Sequence, residues 1–263
     1  MVQFNQNNSI MLTANAKRVS LDELLSMEHK PLSNTHYPTG FGDISMHILE
    51  KADSQFRHLG EGMCELVINR VKDGHHLLGK LRYPGDDGVN RLIAWRSSDN
   101  MDFATTVSGG GEVMMCANGM MLTTGTRDVR KNTLNGWRDF QVIVDQVLLG
   151  YEGQYAQLQE DQRKLREISC QERRGAELIG LAQYRGLLAD TQANVARKEW
   201  KLPGATLAKD DLRRVEWQSD DGFGTRTAWS LYNAMTEGLK RGAPASLIQR
   251  HTKVHDWMLA QAA

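Results

Sequence analysis

Cysteine is scarce in this chain. Its 263 residues include three, Cys64, Cys116 and Cys170, widely spaced and odd in number. They make neither a CxxC pair nor a framework of bridges. That excludes a disulfide-stapled secreted domain and a thiolate zinc site, and it fits reduced thiols in a cytosolic protein. Long hydrophobic runs are missing too: no stretch approaches the roughly 18 consecutive apolar residues of a membrane-spanning helix. The start, MVQFNQNNSIMLTANAKRVS, has no basic region followed by an apolar one, so no secretory signal and no membrane partner is expected. Neither sign of charge is in excess, with 32 Lys and Arg against 32 Asp and Glu. This excludes a globally basic nucleic-acid coat protein and leaves room for a local basic face. No P-loop, Rossmann fingerprint, Ser-His-Asp order or catalytic carboxylate pair is present. The expectation is a protein that is not an enzyme and takes no cofactor.

What is present is ordinary for a globular protein. Hydrophobic residues make up 40% and charged residues 24%, so the chain can bury a core. The fold class expected is α+β. An N-terminal antiparallel sheet of five or six short strands, with one or two helices, precedes a mostly helical C-terminal half. Residues 1–40 read as a loosely structured segment, 41–133 as the β-rich half and 134–263 as the helical half, together one integrated domain. Ser20 and Glu23 form a capping box ahead of a short helix near 20–28. A second helix is expected over 43–58, with Asp43 as its N-cap and Ile44, Ile48, Ala52 and Phe56 on one face. From 62 to 126 the apolar pattern alternates, giving CELVINRV, HLLGKLRY, NRLIAWRSS, DFATTVS, EVMMCAN and MMLTTGT as strand segments. Gly109-Gly110-Gly111 reads as a flexible link among them, and no Lys-Ser/Thr follows it to make a phosphate loop. Beyond residue 134 the period becomes helical, with soft breaks at Gly175 and Gly180. A turn is expected at Pro203-Gly204, a short helix at DDLRRVEW, and a final helical pair over 225–241 and 243–260.

Three landmarks stand in order: MCANGMML at 115–122, TRDVRKNTLNGW at 126–137 and TAWSLYNAMTEGLKRG at 227–242. Together they resemble the phage/plasmid-like proteins of domain of unknown function family 932. The resemblance runs from about residue 40 to 260 and rests on Cys116, Asn118 and Gly119, on the basic segment, and on Trp229, Tyr232 and Asn233. Where that family carries a His in the basic segment, this chain has Asn132-Thr133-Leu134-Asn135-Gly136. The resemblance implies a mobile genetic element as source and the cytoplasm of the host cell as location, and it implies no activity. By layout alone it is similar to single-strand annealing proteins of phages, an analogy of fold.

The candidate binding residues are Arg127, Arg130, Lys131 and Arg138, which lead into the first long helix. Cations at a helix start oppose its dipole, and a phosphate there would answer both the charges and the free backbone N–H groups. The alternative is a solvated surface partly paired with Asp128 and Asp139. Asn118-Gly119 suits a type I′ turn, and Cys116 reads as a small buried hydrophobe. Trp229 and Tyr232, with Trp257, read either as core packing between helices or as a base-stacking platform. His251 and His255 share a helix face, yet no third ligand accompanies them, so no metal is expected. The function expected is that of a phage- or plasmid-encoded, non-catalytic DNA-binding protein. It would bind single-stranded DNA in recombination or replication, as a homo-oligomer. The alternative is a host-interaction or anti-defence protein, its apolar surface supplied by six tryptophans and twelve methionines.

Overall fold

The structure, a computed structural model, describes residues 2–4, 16–71, 74–113, 119–129, 132–201, 226–240, 242 and 246–262. The fold is α+β, with strands in the N-terminal half and helices mostly in the C-terminal half. The strands are β1 (Val2–Phe4), β2 (Ala16–Arg18), β3 (Gly62–Val71), β4 (Gly74–Tyr83), β5 (Val89–Ser98), β6 (Thr106–Val113) and β7 (Gly119–Asp128). The helices are α1 (Leu21–Leu25), α2 (Phe41–Phe56), α3 (Gly136–Leu149), α4 (Tyr151–Glu167), α5 (Glu172–Tyr184), α6 (Asp190–Lys201), α7 (Ala228–Leu239) and α8 (Leu247–Ala262).

Two compact units share the chain. The first comprises residues 1–111 and 124–155, the second 112–123 and 156–263. The first is built on the sheet, in the order β1-β3-β4-β5-β6-β7. Strands β3, β4 and β5 pair antiparallel, with Leu66 opposite Gly79 and Gly79 opposite Trp95. The N-terminal segment, read from sequence as loosely structured apart from one short helix, also supplies two short strands to the edge of β3. There β1 runs parallel to β3 and β2 antiparallel.

Alternation then decides what is buried where. Cys64, Leu66, Leu77, Leu81, Ile93 and Trp95 fall on one face of the sheet and are buried. On α2 the apolar stripe Phe41, Ile44, Ile48, Ala52, Phe56 is buried, and its Ser45 accepts a hydrogen bond from the Trp95 indole at 3.3 Å. Gly40, not Asp43, is the N-cap of α2, and the helix starts two residues earlier than its sequence suggests. Asp43 sits in the first turn, where a carboxylate favours the helix dipole as well as a cap would. Helix α3 lies against α2 through His47 with Trp137 and Phe140, and through Gln55, which donates to the Leu148 carbonyl at 2.7 Å.

The start of α4 is fastened to the sheet by two phenols. The Tyr151 hydroxyl donates to the Gly110 carbonyl and accepts from the Leu92 N–H, at 2.6 and 2.7 Å. Tyr155 donates to the Val89 carbonyl at 2.7 Å. Gly109 packs under Tyr151: an added Cβ would stand 2.9 Å from that ring. The triple glycine is therefore strand, not link. Gly109-Gly110-Gly111 lies within β6, where its bare backbone admits the tyrosine. The DFATTVS and EVMMCAN segments correspondingly run together as one strand as far as Val113.

The second unit is helical. The sequence breaks at Gly175 and Gly180 do not occur, because both glycines lie inside α5. The chain turns instead at 168–171, where Ser169 bridges Thr227, and at 185–189, where Gly186 takes φ +71°. Helices α5 and α6 meet closely: Gly175 faces the Trp200 ring and Gly238 of α7 faces the Gln192 backbone. Helix α7 opens with a capping box of Thr227 and Ser230 and is buried along nearly its whole length. The expected turn at Pro203-Gly204 and the helix at DDLRRVEW lie outside the described residues.

Candidate nucleic-acid interface

Four elements of the first unit meet around the loop between β7 and α3. Val129 N–H donates to the Thr105 carbonyl at 2.7 Å, which carries the end of β7 one residue further along β6. Asn132 then takes a left-handed φ of +36° and buries its side chain, whose Nδ2 donates to the Ser98 carbonyl at 2.8 Å. Its own carbonyl accepts the Tyr37 N–H at 2.9 Å. Gly136 N–H donates to Thr133 at 2.8 Å and α3 begins. Asn135, the N-cap of α3, makes no side-chain capping bond, so no side chain of the cap satisfies the first-turn N–H groups.

An open groove of about 460 Å³ runs along this helix start. Asp128, Val129, Asn135, Arg138, Asp139 and Ile143 line it, among others. Among the described residues that line it, the cation is Arg138, exposed in the first turn of α3. Arg127, exposed at the end of β7, donates to the Thr126 carbonyl at 2.9 Å. The acids differ in situation. Asp128 accepts from the Thr106 hydroxyl at 2.5 Å, and that same oxygen of Thr106 accepts from Arg96 Nε at 3.0 Å. Arg96 is buried, and burial lowers its proton affinity while Asp128 raises it. The Asp128 charge thus faces the Arg96 charge across the Thr106 hydroxyl. Asp139 favours the α3 dipole from the first turn.

Of the four cations singled out from sequence, Arg127 and Arg138 are exposed on the elements flanking the loop, and Arg138 lines the groove. Arg130 and Lys131 lie outside the described residues, as do Cys116 and Asn118 with their expected turn; Gly119 is the first residue of β7. Trp229, Tyr232 and Asn233 are buried in α7. Trp229 and Tyr232 stack at 5.6 Å between centroids, and Asn233 Nδ2 donates to the Trp229 carbonyl at 2.9 Å. Trp257 is buried as well, so these rings are core and offer bases no platform. Sequence reading missed Tyr37 and Asn132. The signal for Asn132 was available, since Asn tolerates positive φ better than most residues.

The two helical histidines are also core. His255 is fully buried and its Nε2 lies 3.1 Å from Asp161 Oδ2, while Gln157 donates to the other oxygen at 2.8 Å. Among the described residues no three His, Cys, Asp or Glu side chains form a metal-binding group. Likewise, among them no helix is long and apolar enough to cross a membrane. Cys64 is buried, and burial pushes its thiol far up, which excludes an activated thiolate at that position. Comparison with protein-family models, with curated proteins and with solved structures finds no match to this chain.

Proposed function

We propose that this is a non-catalytic DNA-binding protein that holds a single strand at the β7–α3 junction. The observation that carries the reading is the groove at the start of α3, with Arg138 in its wall and an N-cap that makes no side-chain capping bond. Phosphate oxygens suit those donors and the exposed guanidinium groups of Arg127 and Arg138. The acidic side chains suit a single strand better than a duplex, because unpaired bases present amino groups that a carboxylate can accept. The resemblance in motif order to phage/plasmid-like proteins supports a place in recombination or replication of a mobile element. On that reading, four basic residues in the twelve from Arg127 to Arg138 form the phosphate-binding stretch.

The test is fluorescence anisotropy with a labelled single-stranded oligonucleotide at low and moderate salt. Affinity should fall steeply with salt as counterions are displaced. Charge reversal at Arg127 and Arg138, and separately at Arg130 and Lys131, should weaken binding and flatten the salt slope by about one for each lost phosphate contact. Unchanged affinity at low salt in both double variants rejects the proposal. A protein-partner role has one observation in its favour, the exposed Tyr184 at the end of α5. Nucleic acid carried through the first purification, read as the ratio of absorbance at 260 and 280 nm, separates the two.

A further inference from the structure

Single strands are gripped through two kinds of contact, cations on phosphates and flat rings on bases. The rings that the sequence offered for the second contact are buried, so the platform must be sought elsewhere. Of the six tyrosines, Tyr83, Tyr151, Tyr155 and Tyr232 are buried, while Tyr37 and Tyr184 are exposed. Tyr184 belongs to the helical unit, and Tyr37 lies in the unit that holds the groove.

We propose that Tyr37 is the base-stacking residue of this interface, a reading that rests on the single-strand function above. Its backbone is tied directly to the basic loop, with the Tyr37 N–H on the Asn132 carbonyl at 2.9 Å. Both sides of that bond are fixed from within. On one side His36 is buried, and its Nδ1 accepts the Leu32 N–H at 2.9 Å, closing the 32–36 turn. On the other, Asn132 is buried and bonded to the Ser98 carbonyl. Tyr37 is 46% exposed, on a backbone held by buried neighbours. Leu134, two residues past Asn132, is 72% exposed and offers a second apolar surface at the same loop. Asn135 and Arg138 of the groove follow directly. An exposed aromatic ring on a pinned loop loses little further entropy when a base stacks on it. The exposed guanidinium groups of Arg127 and Arg138 on the flanking elements commit the occupant to a polyanion with flat bases, a single strand, rather than to an apolar peptide.

The experiment compares wild type, Tyr37→Ala and Tyr37→Phe on two labelled probes. One is an oligothymidylate, and the other an abasic deoxyribose-phosphate oligomer of the same length. Stacking on one base is worth about 1–3 kcal/mol, so Tyr37→Ala should weaken oligothymidylate binding about five- to 150-fold. Tyr37→Phe, which keeps the ring, should bind as wild type does. On the abasic probe all three proteins should agree. Equal oligothymidylate binding by Tyr37→Ala and wild type overturns the stacking assignment and leaves the phosphate-binding reading standing. A loss of equal size on both probes also overturns it, since that places Tyr37 in a backbone contact. Failure of the wild type to bind either probe overturns both readings.

Discussion

His47 illustrates how one side chain on α2 reports on its surroundings. It lies against Trp137 at 5.5 Å and Phe140 at 5.9 Å, and its Nε2 is buried with no hydrogen-bond partner among the described residues. Burial, and then the nearby Lys51, hold its proton affinity below the ordinary imidazole value, against the opposing pull of Asp145 and Glu50. The sign follows from linkage. Above about pH 6.5 folded and unfolded chains both carry the neutral ring, so the stability it contributes is fully present. Below that, the unfolded chain takes up a proton that the folded one resists, and stability declines until pH has passed the folded value. His47→Leu should therefore lose less melting temperature between pH 7.5 and 5.5 than wild type does. Equal losses in thermal denaturation would show that this ring does not titrate as its packing implies. Residue-scale facts of this kind were partly legible. The i, i+3 spacing of Trp229 and Tyr232 already favoured a core, as found. The environment of His47 was not, because its partners come from a helix some ninety residues on.

At the scale of elements, glycine separates what sequence can show from what packing decides. Gly175 and Gly180 look alike in the sequence, and both read there as breaks. In the structure they sit on one helix with opposite surroundings. A Cβ on Gly175 would stand 2.2 Å from the Trp200 ring, whereas one on Gly180 would meet nothing within 4 Å. Gly175→Ala should destabilise by about 1–3 kcal/mol through overpacking against a buried indole. Gly180→Ala should stabilise by about 0.5–1 kcal/mol, since alanine gives up less backbone freedom in a helix. Chemical denaturation of the two variants checks both signs. The α1 capping box was readable because Ser20 and Glu23 act within a single turn, and both reciprocal bonds form, at 3.1 and 2.7 Å. The fate of the triple glycine was not readable locally, since it depends on Tyr151 arriving from α4 to cover Gly109.

For the whole molecule, the order of strands before helices was legible from periodicity, which changes from that of a strand, about 2, to that of a helix, about 3.6, across the chain. The division into units was not, because it rests on contacts between residues far apart in sequence. Helix α4 shows why. Its first turns, with Tyr151 and Tyr155 on the β5 and β6 backbone, fall in the first unit. Its remainder falls in the second, where Asp161 meets His255 of α8. Removing that imidazole leaves a buried carboxyl group short of a partner, so His255→Leu should destabilise by about 1–3 kcal/mol. The check is the global unfolding transition together with amide exchange in α8, which should quicken. Unchanged exchange there would remove the pair from the account of how this helical unit is held.

The interleaving of the two units also bears on synthesis. A ribosome releases residues 112–123 well before the helices with which they group, and it completes the sheet-bearing unit only on reaching Tyr155. Neither unit can therefore be finished in the order it is made. The nascent chain must carry an incomplete strand segment while later codons are read, and that interval, when apolar surface is still uncovered, is where chaperone dependence and losses during overexpression should concentrate.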